Sequence, residues 1–424
     1  MKISRREVAK ILLAAAVAPR GLAANATSRA ASAKTWPVKT WDVAVVGAGV
    51  FGAWSAYWLR KAGLRVILLD AYGAANSRSS SGGESRIIRA AYGEDDFYSR
   101  WALRSLPQWK ELAARCGQEI FHETGVLTFS DDSTDLVAQS GRSLDRLEQE
   151  RLGIVYERLG AAQLAKRFPQ IGLKGNEVGI LEPHSGALMA RRGVQVLVEE
   201  LVREGLDYRV AAATPPSSKG RLSSIATSGN GTISARVFVF ACGPWLPKVF
   251  PKLLGSYIQP ERAEVYFLGV APGDPRFYPP QMPTWIYKSK EVEAYGMPVL
   301  ENRGFKVAVD KLSLPADPDT MDREPTPPYR AQLRAFVAER FPALKDAPVI
   351  ETRVCQYENT GTGNYVVDRH PEMENVWIVG GGSGHGFKNG PAMGEYVASV
   401  VAREAPLEKL LTLGYKPKPG HLVE

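Results

Sequence analysis

The chain has 424 residues, of which 45% are hydrophobic and 23% are charged, a composition that excludes a mainly disordered protein. A chain of this length suits two domains, or one large α/β body with an insertion. Half of the formal net charge of +8 comes from residues 1–26, and the other basic residues are scattered rather than interleaved with aromatic ones, so no nucleic-acid partner is expected.

The N-terminus has the composition of an export signal. The pair Arg5 and Arg6 precedes the apolar segment ILLAAAVA, and Arg20 and several alanines follow it. The apolar segment is too short to span a bilayer, and the whole pattern is typical of a twin-arginine secretory signal. We predict a signal and linker over 1–34, the twin-arginine export machinery as a partner, a periplasmic or extracellular location and no stable membrane anchor. The alternative is a frayed amphipathic helix.

Cysteine and histidine are scarce in this chain. The three cysteines are Cys116, Cys242 and Cys355, whereas an exported protein held together by disulfides would carry more of them, in an even number. At least one thiol is therefore expected to be unpaired. The five histidines do not cluster with cysteines or acids along the sequence, so we predict no built-in metal site.

A βαβ unit with a glycine fingerprint follows the leader. An apolar β-run, Trp41 to Val46, leads into the glycines of GAGVFG, apolar residues at helical spacing follow to residue 62, and a second strand ends at Asp70. Strand, G-x-G-x-x-G, helix and an acid at this spacing predict a dinucleotide site.

Each glycine of that fingerprint has a structural role. Gly47 permits the tight turn, Gly49 lets the backbone approach a pyrophosphate, and Gly52 lets the helix pack closely on the strand. The helix N-terminus offers N–H donors to the phosphates, and Asp70 would accept hydrogen bonds from ribose hydroxyls. The alternative is a glycine-rich turn without a ligand.

The remaining elements predict an α/β fold with an inserted α+β part. A further strand of the nucleotide fold is expected at 237–243 and another at 376–379, while short alternating runs within 251–350 indicate an antiparallel sheet covering one side of a cofactor. We predict a discontinuous Rossmann-like nucleotide-binding domain and an inserted antiparallel-sheet substrate domain. The predicted nucleotide-binding segments are 37–120, 180–250 and 346–410, and the predicted substrate segments are 121–179 and 251–345.

A series of short motifs then resembles the monomeric sarcosine oxidase family, part of the D-amino-acid-oxidase-like flavoproteins. In order they are SGGESRIIRAAYG, YGMP, GFK, CQY, VVDRHP and GHGFK. The resemblance covers about residues 40–405 and implies FAD, oxidation of a secondary or primary amine of an amino acid, and release of hydrogen peroxide.

The resemblance also implies which residues hold the flavin. Cys355 matches the position where the family attaches the flavin 8α-carbon through a thioether, and a thiolate near a base or cation is a competent nucleophile for this step. On sequence alone, Cys355 could equally be a buried strand cysteine. His385 is expected to contact flavin through its glycine loop rather than to act as a base. The other residues that we predict to bind the cofactor are Ser85, Arg86, Ile87, Gly243, Gly384, Gly386, Phe387 and Lys388.

Substrate and oxygen have their own predicted residues. The resemblance implies that Arg89 and Lys388 clamp the substrate carboxylate, that Lys306 promotes the reaction with oxygen, and that Tyr295 is a wall of the substrate pocket. Without the motifs, Arg89 would be interpreted as a surface ion pair, Lys388 as a solvated cap and Lys306 as a solvent-facing strand residue.

Two positions depart from the family, which has histidine where this chain has Gly82 and Asp310. One interpretation is that the substrate is larger than sarcosine and carries a cationic group that faces Asp310. The other is that Asp310 pairs with Lys311 or a neighbouring arginine.

These residues together predict an FAD-dependent enzyme that oxidises the amine of a carboxylated, secondary or N-methyl substrate to an imine and reduces oxygen to hydrogen peroxide. Two alternatives remain open. One is an exported flavin amine dehydrogenase that passes electrons to a quinone or carrier, and the other is a catalytically inactive FAD-bound binding protein.

Overall fold

The computed structural model describes residues 40–93, 95–131, 136–229, 231–309 and 314–416. All of them belong to one unit that begins at Val38. The predicted export signal and Asp310 lie outside the described residues, so both remain predictions.

The secondary structure is mixed. In chain order the strands are β1 (Thr40–Val46), β2 (Val66–Asp70), β3 (Ser85–Ile88), β4 (Phe121–His122), β5 (Val126–Asp131), β6 (Glu157–Leu159), β7 (Glu177–Glu182), β8 (Gly186–Met189), β9 (Asp207–Val210), β10 (Ser224–Thr227), β11 (Gly231–Phe240), β12 (Ile258–Leu268), β13 (Thr284–Lys288), β14 (Glu293–Met297), β15 (Phe305–Val309), β16 (Leu314–Pro315), β17 (Val349–Thr360), β18 (Val366–Arg369) and β19 (Val376–Gly380). The α-helices are α1 (Val50–Lys61), α2 (Asp96–Cys116), α3 (Leu136–Gln149), α4 (Ala161–Arg167), α5 (Ala190–Arg203), α6 (Leu246–Val249), α7 (Pro251–Leu254), α8 (Pro327–Arg340) and α9 (Gly390–Ala402).

The first sheet is built around parallel strands. Its order is β18-β19-β11-β1-β2-β9, with β10 paired to β11. Strand β1 is parallel to both β2 and β11, and β11 is parallel to β19. Strands β1 and β2 are almost entirely apolar and buried, as expected of parallel strands covered on both faces. The predicted Rossmann-like sheet is therefore present, and its strands come from segments far apart in the sequence.

Helices α1 and α9 pack closely against each other on this sheet. Where the two helices cross, α9 has glycines. A Cβ added at Gly394 would lie 2.4 Å from the backbone of Trp54, and one at Gly390 would lie 2.5 Å from the side chain of Val50. Helix α1 ends with basic residues in its last turn, which favours the C-terminal end of the helix dipole, and Gly63 follows with φ of +86°. This contact fixes the direction in which the N-terminus of α1 points.

The second sheet has the order β16-β12-β15-β14-β13-β5-β7-β6, and β17 pairs with β12. All of its pairs are antiparallel except β5 with β13, so the predicted antiparallel sheet from separated segments is observed. Rings of Trp285, Phe305, Phe336 and Phe341 pack between this sheet and α8. The predicted α/β fold class with both parallel and antiparallel sheets is confirmed.

Strand β17 belongs to the second sheet and carries residues of the candidate site. It pairs with β12 along most of its length, although the predicted boundary assigned residues 346–410 to the nucleotide-binding domain. A third, three-stranded sheet, β3-β8-β4, carries Ser85–Ile88. The hydroxyl of Ser80, just before β3, donates to the backbone oxygen of Gln356 on β17 at 2.7 Å. The predicted domain boundaries themselves remain predictions.

In the part of the chain that the structure describes, no helix combines the length and the apolar character needed to cross a bilayer.

Candidate active site

A cleft opens at the carboxyl ends of β1, β2 and β11, where open parallel sheets bind their ligands. It extends to the glycine loop that follows β19. The predicted cofactor residues that line it are Gly47, Gly49, Asp70, Arg86, Gly243, Gly384, Gly386 and Phe387. Other lining residues were not among those that we predicted to bind the cofactor; they include Tyr72, Asn76, Ser81, Trp245, Tyr357, Glu358 and Gly382.

The glycine fingerprint has the close approaches that its motif predicts. Gly47 has φ of +105°, and a Cβ there would lie 2.2 Å from the carbonyl oxygen of Ala241. A Cβ at Gly52 would lie 1.8 Å from the carbonyl oxygen of Gly47, so the helix packs on the turn only because that side chain is missing. Ser81, which the sequence did not indicate, accepts a hydrogen bond from the Val50 N–H at 3.0 Å.

Asp70 lines the end of the cleft that is opposite Arg86. Its carboxylate accepts hydrogen bonds from the N–H of Ala48 at 2.8 Å and from the N–H of Tyr72 at 2.9 Å, and burial raises its pKa. The rings of Tyr72 and Trp245 border the cleft here, with centroids 5.9 Å apart. An acid at the end of β2 beside the phosphate turn is what a ribose requires, so this part of the structure fits a dinucleotide.

Cys355 lies behind the cleft lining, in contact with Arg86, a cation that does line the cleft. Its thiol is buried, and Sγ is 3.3 Å from a guanidinium nitrogen of Arg86. The same guanidinium donates to the carbonyl oxygens of Ser80 at 2.7 Å and Ser85 at 2.8 Å, which fix its position. The arginine is thus held with its positive charge in contact with the Cys355 sulfur. The residues present fit a flavin ring at this end.

Two buried cations lie close to the same aromatic ring, that of Tyr92. The guanidinium carbon of Arg89 is 4.7 Å, and Nζ of Lys388 is 4.9 Å, from the ring centroid of Tyr92. Arg89 is 8% exposed and Lys388 is 5% exposed. Lys388 donates to the carbonyl oxygen of His385 at 2.8 Å, whereas Arg89 makes no hydrogen bond or ion pair to any described residue. Burial, with a smaller contribution from Arg89, lowers the pKa of Lys388 well below its ordinary value.

A buried carboxylate supports the segment that carries Arg89. Glu182 accepts hydrogen bonds from the N–H of Ala90 at 2.7 Å and of Ala91 at 3.2 Å, and Ser185 donates to it at 3.1 Å. Burial raises the pKa of Glu182, and these hydrogen bonds oppose the change. The oxygens of Glu182 accept from backbone N–H groups and the Ser185 hydroxyl. Glu182 therefore holds the chain next to Arg89 without forming an ion pair with the guanidinium.

Lys306 reaches from β15 to the third sheet. Its Nζ donates to the carbonyl oxygen of Ser85 at 2.9 Å and to the Ser85 hydroxyl at 3.2 Å, and the residue is 2% exposed. Burial lowers its pKa well below the ordinary value, and the nearby Arg86 adds to this. Tyr295 lies beside it, with Nζ 5.8 Å from the ring centroid, and its hydroxyl is 3.0 Å from that of Tyr357.

His385 does not have the surroundings of a base. Its Nδ1 accepts from the hydroxyls of Tyr92 at 3.1 Å and Tyr365 at 2.8 Å, and its Nε2 donates to the carbonyl oxygen of Gly363 at 2.9 Å. Burial, together with Lys388, lowers its pKa to about 3. The ring is thus neutral at physiological pH and anchors the glycine loop.

Some predicted site residues take other places. Ile87 packs against Ala187 and Met297 and does not line the cleft, and Ser85 meets Lys306 rather than the cleft surface. Gly82, where the family has histidine, is enclosed: a Cβ there would lie 2.0 Å from the carbonyl oxygen of Asn76. The loop around it therefore follows a course that leaves no room for a histidine side chain.

One group of potential metal ligands occurs among the described residues, Glu119, His122 and Glu301. It lies at the protein surface, and Glu301 already forms an ion pair with Arg192 at 2.7 Å. No ion is needed to account for this arrangement.

The fold and the cleft are those of an oxidoreductase that binds a dinucleotide. The buried cations and the thiol of Cys355 lie near one end of the cleft. A family model described as FAD dependent oxidoreductase matches residues 42–400, and the chain belongs to this family. The predicted FAD dependence and the predicted resemblance to the sarcosine oxidase group are thereby confirmed, because relatives from that group match over most of the chain.

Two curated relatives and one solved structure illustrate the match. Monomeric sarcosine oxidase of Bacillus sp. (strain B-0618) is 31% identical over 378 residues, which cover 84% of this chain and 91% of the relative. Peroxisomal sarcosine oxidase of Homo sapiens is 30% identical over 374 residues, covering 85% and 92%. The structure of L-proline dehydrogenase from P.horikoshii superposes with a TM-score of 0.74 at 20% identity, covering 87% of this chain and 95% of that one, a likeness of fold alone.

Proposed function

We propose that the protein oxidises the amine of a carboxylated, amino-acid-like substrate, secondary or N-methylated, to an imine, with oxygen reduced to hydrogen peroxide. The observation that carries this proposal is the buried pair Arg89 and Lys388 around Tyr92. The Arg89 guanidinium has no hydrogen-bonding partner among the described residues, so its donors are available to a ligand that supplies acceptors. The sarcosine oxidases among the relatives act, by name, on an N-methyl amino acid, which is a substrate of this class.

The chain's own residues have three tasks in this reaction. Arg89 and Lys388 bind the substrate carboxylate and thereby orient the carbon next to the amine nitrogen. Tyr295 and Tyr357, whose hydroxyls are in contact, form a wall of the same space. FAD, when bound, would supply the acceptor for the hydride equivalent that leaves that carbon. Neither His385 nor any other described group is assigned as a base, which suits an amine that binds unprotonated.

The binding of FAD is assigned to both ends of the cleft. Gly47, Gly49 and the N-terminus of α1 would hold the diphosphate, and Asp70 the ribose. We propose that Cys355 attaches the flavin covalently and that Arg86 assists as the cation in contact with its sulfur. The glycine loop before α9 offers backbone N–H groups to the flavin ring.

A dehydrogenase is the second candidate, and one observation favours it. Oxygen reactivity is assigned to Lys306, whose positive charge would stabilise superoxide as it develops. Lys306 is 2% exposed, its ammonium donates to the carbonyl oxygen and hydroxyl of Ser85, and burial lowers its pKa, which disfavours the charged form that this stabilisation needs. A neutral Lys306 would leave electrons to pass to a quinone or carrier instead.

Anaerobic bleaching of the flavin in the purified protein tests these proposals together. The panel contains N-methyl amino acids, cyclic and basic amino acids, D-amino acids and amines without a carboxylate. We expect bleaching by carboxylated amines only, and rapid return of the flavin absorbance with formation of hydrogen peroxide when air is admitted. Slow reoxidation would favour the dehydrogenase. Bleaching by amines that lack a carboxylate would contradict the role of Arg89 and Lys388, and no bleaching at all would favour a binding protein.

A further inference from the structure

Glu358 is a buried acid in the cleft that the reaction above does not use. It lies on β17, is 8% exposed and lines the cleft. Its Oε2 atom is buried and has no hydrogen-bonding partner among the described residues, and none of their lysine or arginine side chains forms an ion pair with it. A buried carboxylate oxygen without a donor is costly, so a ligand that brings a donor would satisfy it.

The position of Glu358 shows which part of a dinucleotide it would meet. A Cβ added at Gly380 would lie 3.1 Å from Oε2, and one added at Gly243 would lie 3.9 Å from it. Both glycines stand at the carboxyl ends of strands in the parallel sheet, where the cleft runs. The carboxylate of this cleft-lining residue therefore lies near the carboxyl ends of β11 and β19.

Distance along the strand narrows the assignment further. Cys355 and Glu358 are three residues apart on β17, so about 10 Å of extended chain separates their backbones, and their side chains lie on opposite faces of the strand. In FAD, the chain that joins the flavin ring to the diphosphate is ribityl, and it carries three hydroxyl groups. Those hydroxyls are neutral donors, whereas a diphosphate would repel an ionised carboxylate.

We propose that Glu358 is a cofactor-binding residue whose Oε2 accepts a hydrogen bond from a ribityl hydroxyl of FAD. The glycines at 380 and 382 leave the space in which the carboxylate and the ribityl chain meet, since side chains there would contact the carboxylate oxygens. Burial raises the pKa of Glu358 to about 7, and the N–H groups of Gly382 and Gly381 oppose this change. A hydroxyl donor would add to that opposition and favour the ionised form.

Binding measurements on full-length protein test the proposal without relying on catalysis. Cys355→Ser serves as the parent, so that binding is reversible, and fluorescence quenching gives the dissociation constants of FAD and of its 2′-, 3′- and 4′-deoxyribityl analogues. In the parent we expect one analogue to bind about tenfold more weakly than FAD, the effect of one hydrogen bond to a charged acceptor. Adding Glu358→Ala should weaken FAD binding by about tenfold and abolish discrimination against that analogue.

Two further variants keep the result interpretable. Glu358→Gln retains an acceptor oxygen and should keep part of the discrimination. Glu351→Gln changes another acid of β17, which pairs with Arg303 outside the cleft, and should leave all four constants unchanged. The proposal is wrong if Glu358→Ala lowers the affinity for FAD and for every analogue by the same factor, or if it lowers none. If the alanine variant does not fold, a parent that binds all three analogues as tightly as FAD overturns the proposal by itself.

Discussion

The charge of Lys388 depends on what lies beside it. Burial and Arg89 lower its pKa well below the ordinary lysine value, and a carboxylate placed between the two cations would raise it again. Substrate binding should therefore be accompanied by proton uptake. Because lysine is charged below its pKa and neutral above it, the affinity for a carboxylated substrate should fall as the pH rises through the lowered pKa.

Lys388→Met provides the test of this linkage. Loss of a hydrogen-bonded charge should weaken substrate binding by about 10- to 100-fold at the pH where the wild-type protein binds best, and the pH dependence should disappear. Anaerobic titration of the flavin absorbance over a pH series gives the dissociation constants. Lys219→Met, which removes an exposed lysine far along the chain, is the matched control. A variant with unchanged pH dependence would assign the titration to another group.

The proposed role of Lys306 is to promote the reaction with oxygen. If its cation stabilises superoxide, Lys306→Met should slow reoxidation by about a hundredfold while leaving anaerobic reduction by substrate much less affected. In the wild-type protein, reoxidation should slow as the pH rises through the lowered pKa of Lys306, since the charged form exists below it. Stopped-flow mixing of reduced enzyme with oxygen measures both. Equal reoxidation rates for the wild-type protein and the variant would instead support the dehydrogenase.

Cys355 and Arg86 can be separated experimentally. After denaturation and gel electrophoresis we expect a fluorescent flavin band for the wild-type protein, whereas Cys355→Ser should release all of its flavin and give no such band. Arg86→Met keeps the thiol but removes the cation at 3.3 Å, so attachment should be slower rather than absent. Cys116→Ser, which changes a thiol outside the cleft, should retain the full band. Free flavin in the denatured wild-type protein would show that no covalent bond forms.

The limits of sequence-based prediction are visible at single residues. The glycines of the fingerprint, Arg86 and the glycine loop could be predicted because each belongs to a short motif whose spacing is itself the signal. Glu358 and Ser81 could not. The two residues contribute through the face of a strand or the course of a loop, and nothing in the neighbouring letters indicates which side of β17 meets the cleft.

Among the larger elements, packing of α9 on α1 fixes the phosphate turn. The backbone of Trp54 approaches Gly394 so closely that Gly394→Ala must displace one helix. We expect about 1–3 kcal/mol of lost stability, together with weaker FAD binding, because α1 carries the N-terminus that faces the diphosphate. Denaturant unfolding and flavin titration measure the two effects. Gly414→Ala, where an added Cβ meets nothing within 4 Å, should be neutral.

Elements were easier to predict than their assembly. Helix α1 and strands β1, β2 and β19 lie close to where their patterns indicated, whereas β11 covers Gly231–Phe240 rather than 237–243. The pairing of β17 with β12 did not follow from the sequence, because strand partners are selected by long-range packing that no local pattern contains. Strand β17 carries Cys355, Tyr357 and Glu358. Its pairing with β12 matters for the site because it positions this strand beside the cleft.

At the scale of the whole molecule, the predicted leader and the cofactor are linked. Twin-arginine export carries proteins that have already folded, and a flavoprotein whose cofactor lies in a deep cleft has to bind it before export. The pair Arg5 and Arg6 is therefore the feature to change. Replacing both by lysine keeps the positive charge of the leader but removes the guanidinium pair that the export machinery recognises.

We expect Arg5→Lys with Arg6→Lys to leave a flavin-containing precursor inside the cell, whereas the wild-type protein is recovered outside the inner membrane in a shortened form. Cell fractionation, flavin absorbance and the mass of the intact chain measure location, loading and processing separately. Arg20→Lys, which makes the same exchange after the apolar segment, should still be exported. Retention of the wild-type protein inside the cell at full length would contradict the export prediction, while the site chemistry would be unaffected because the described cleft contains none of these residues.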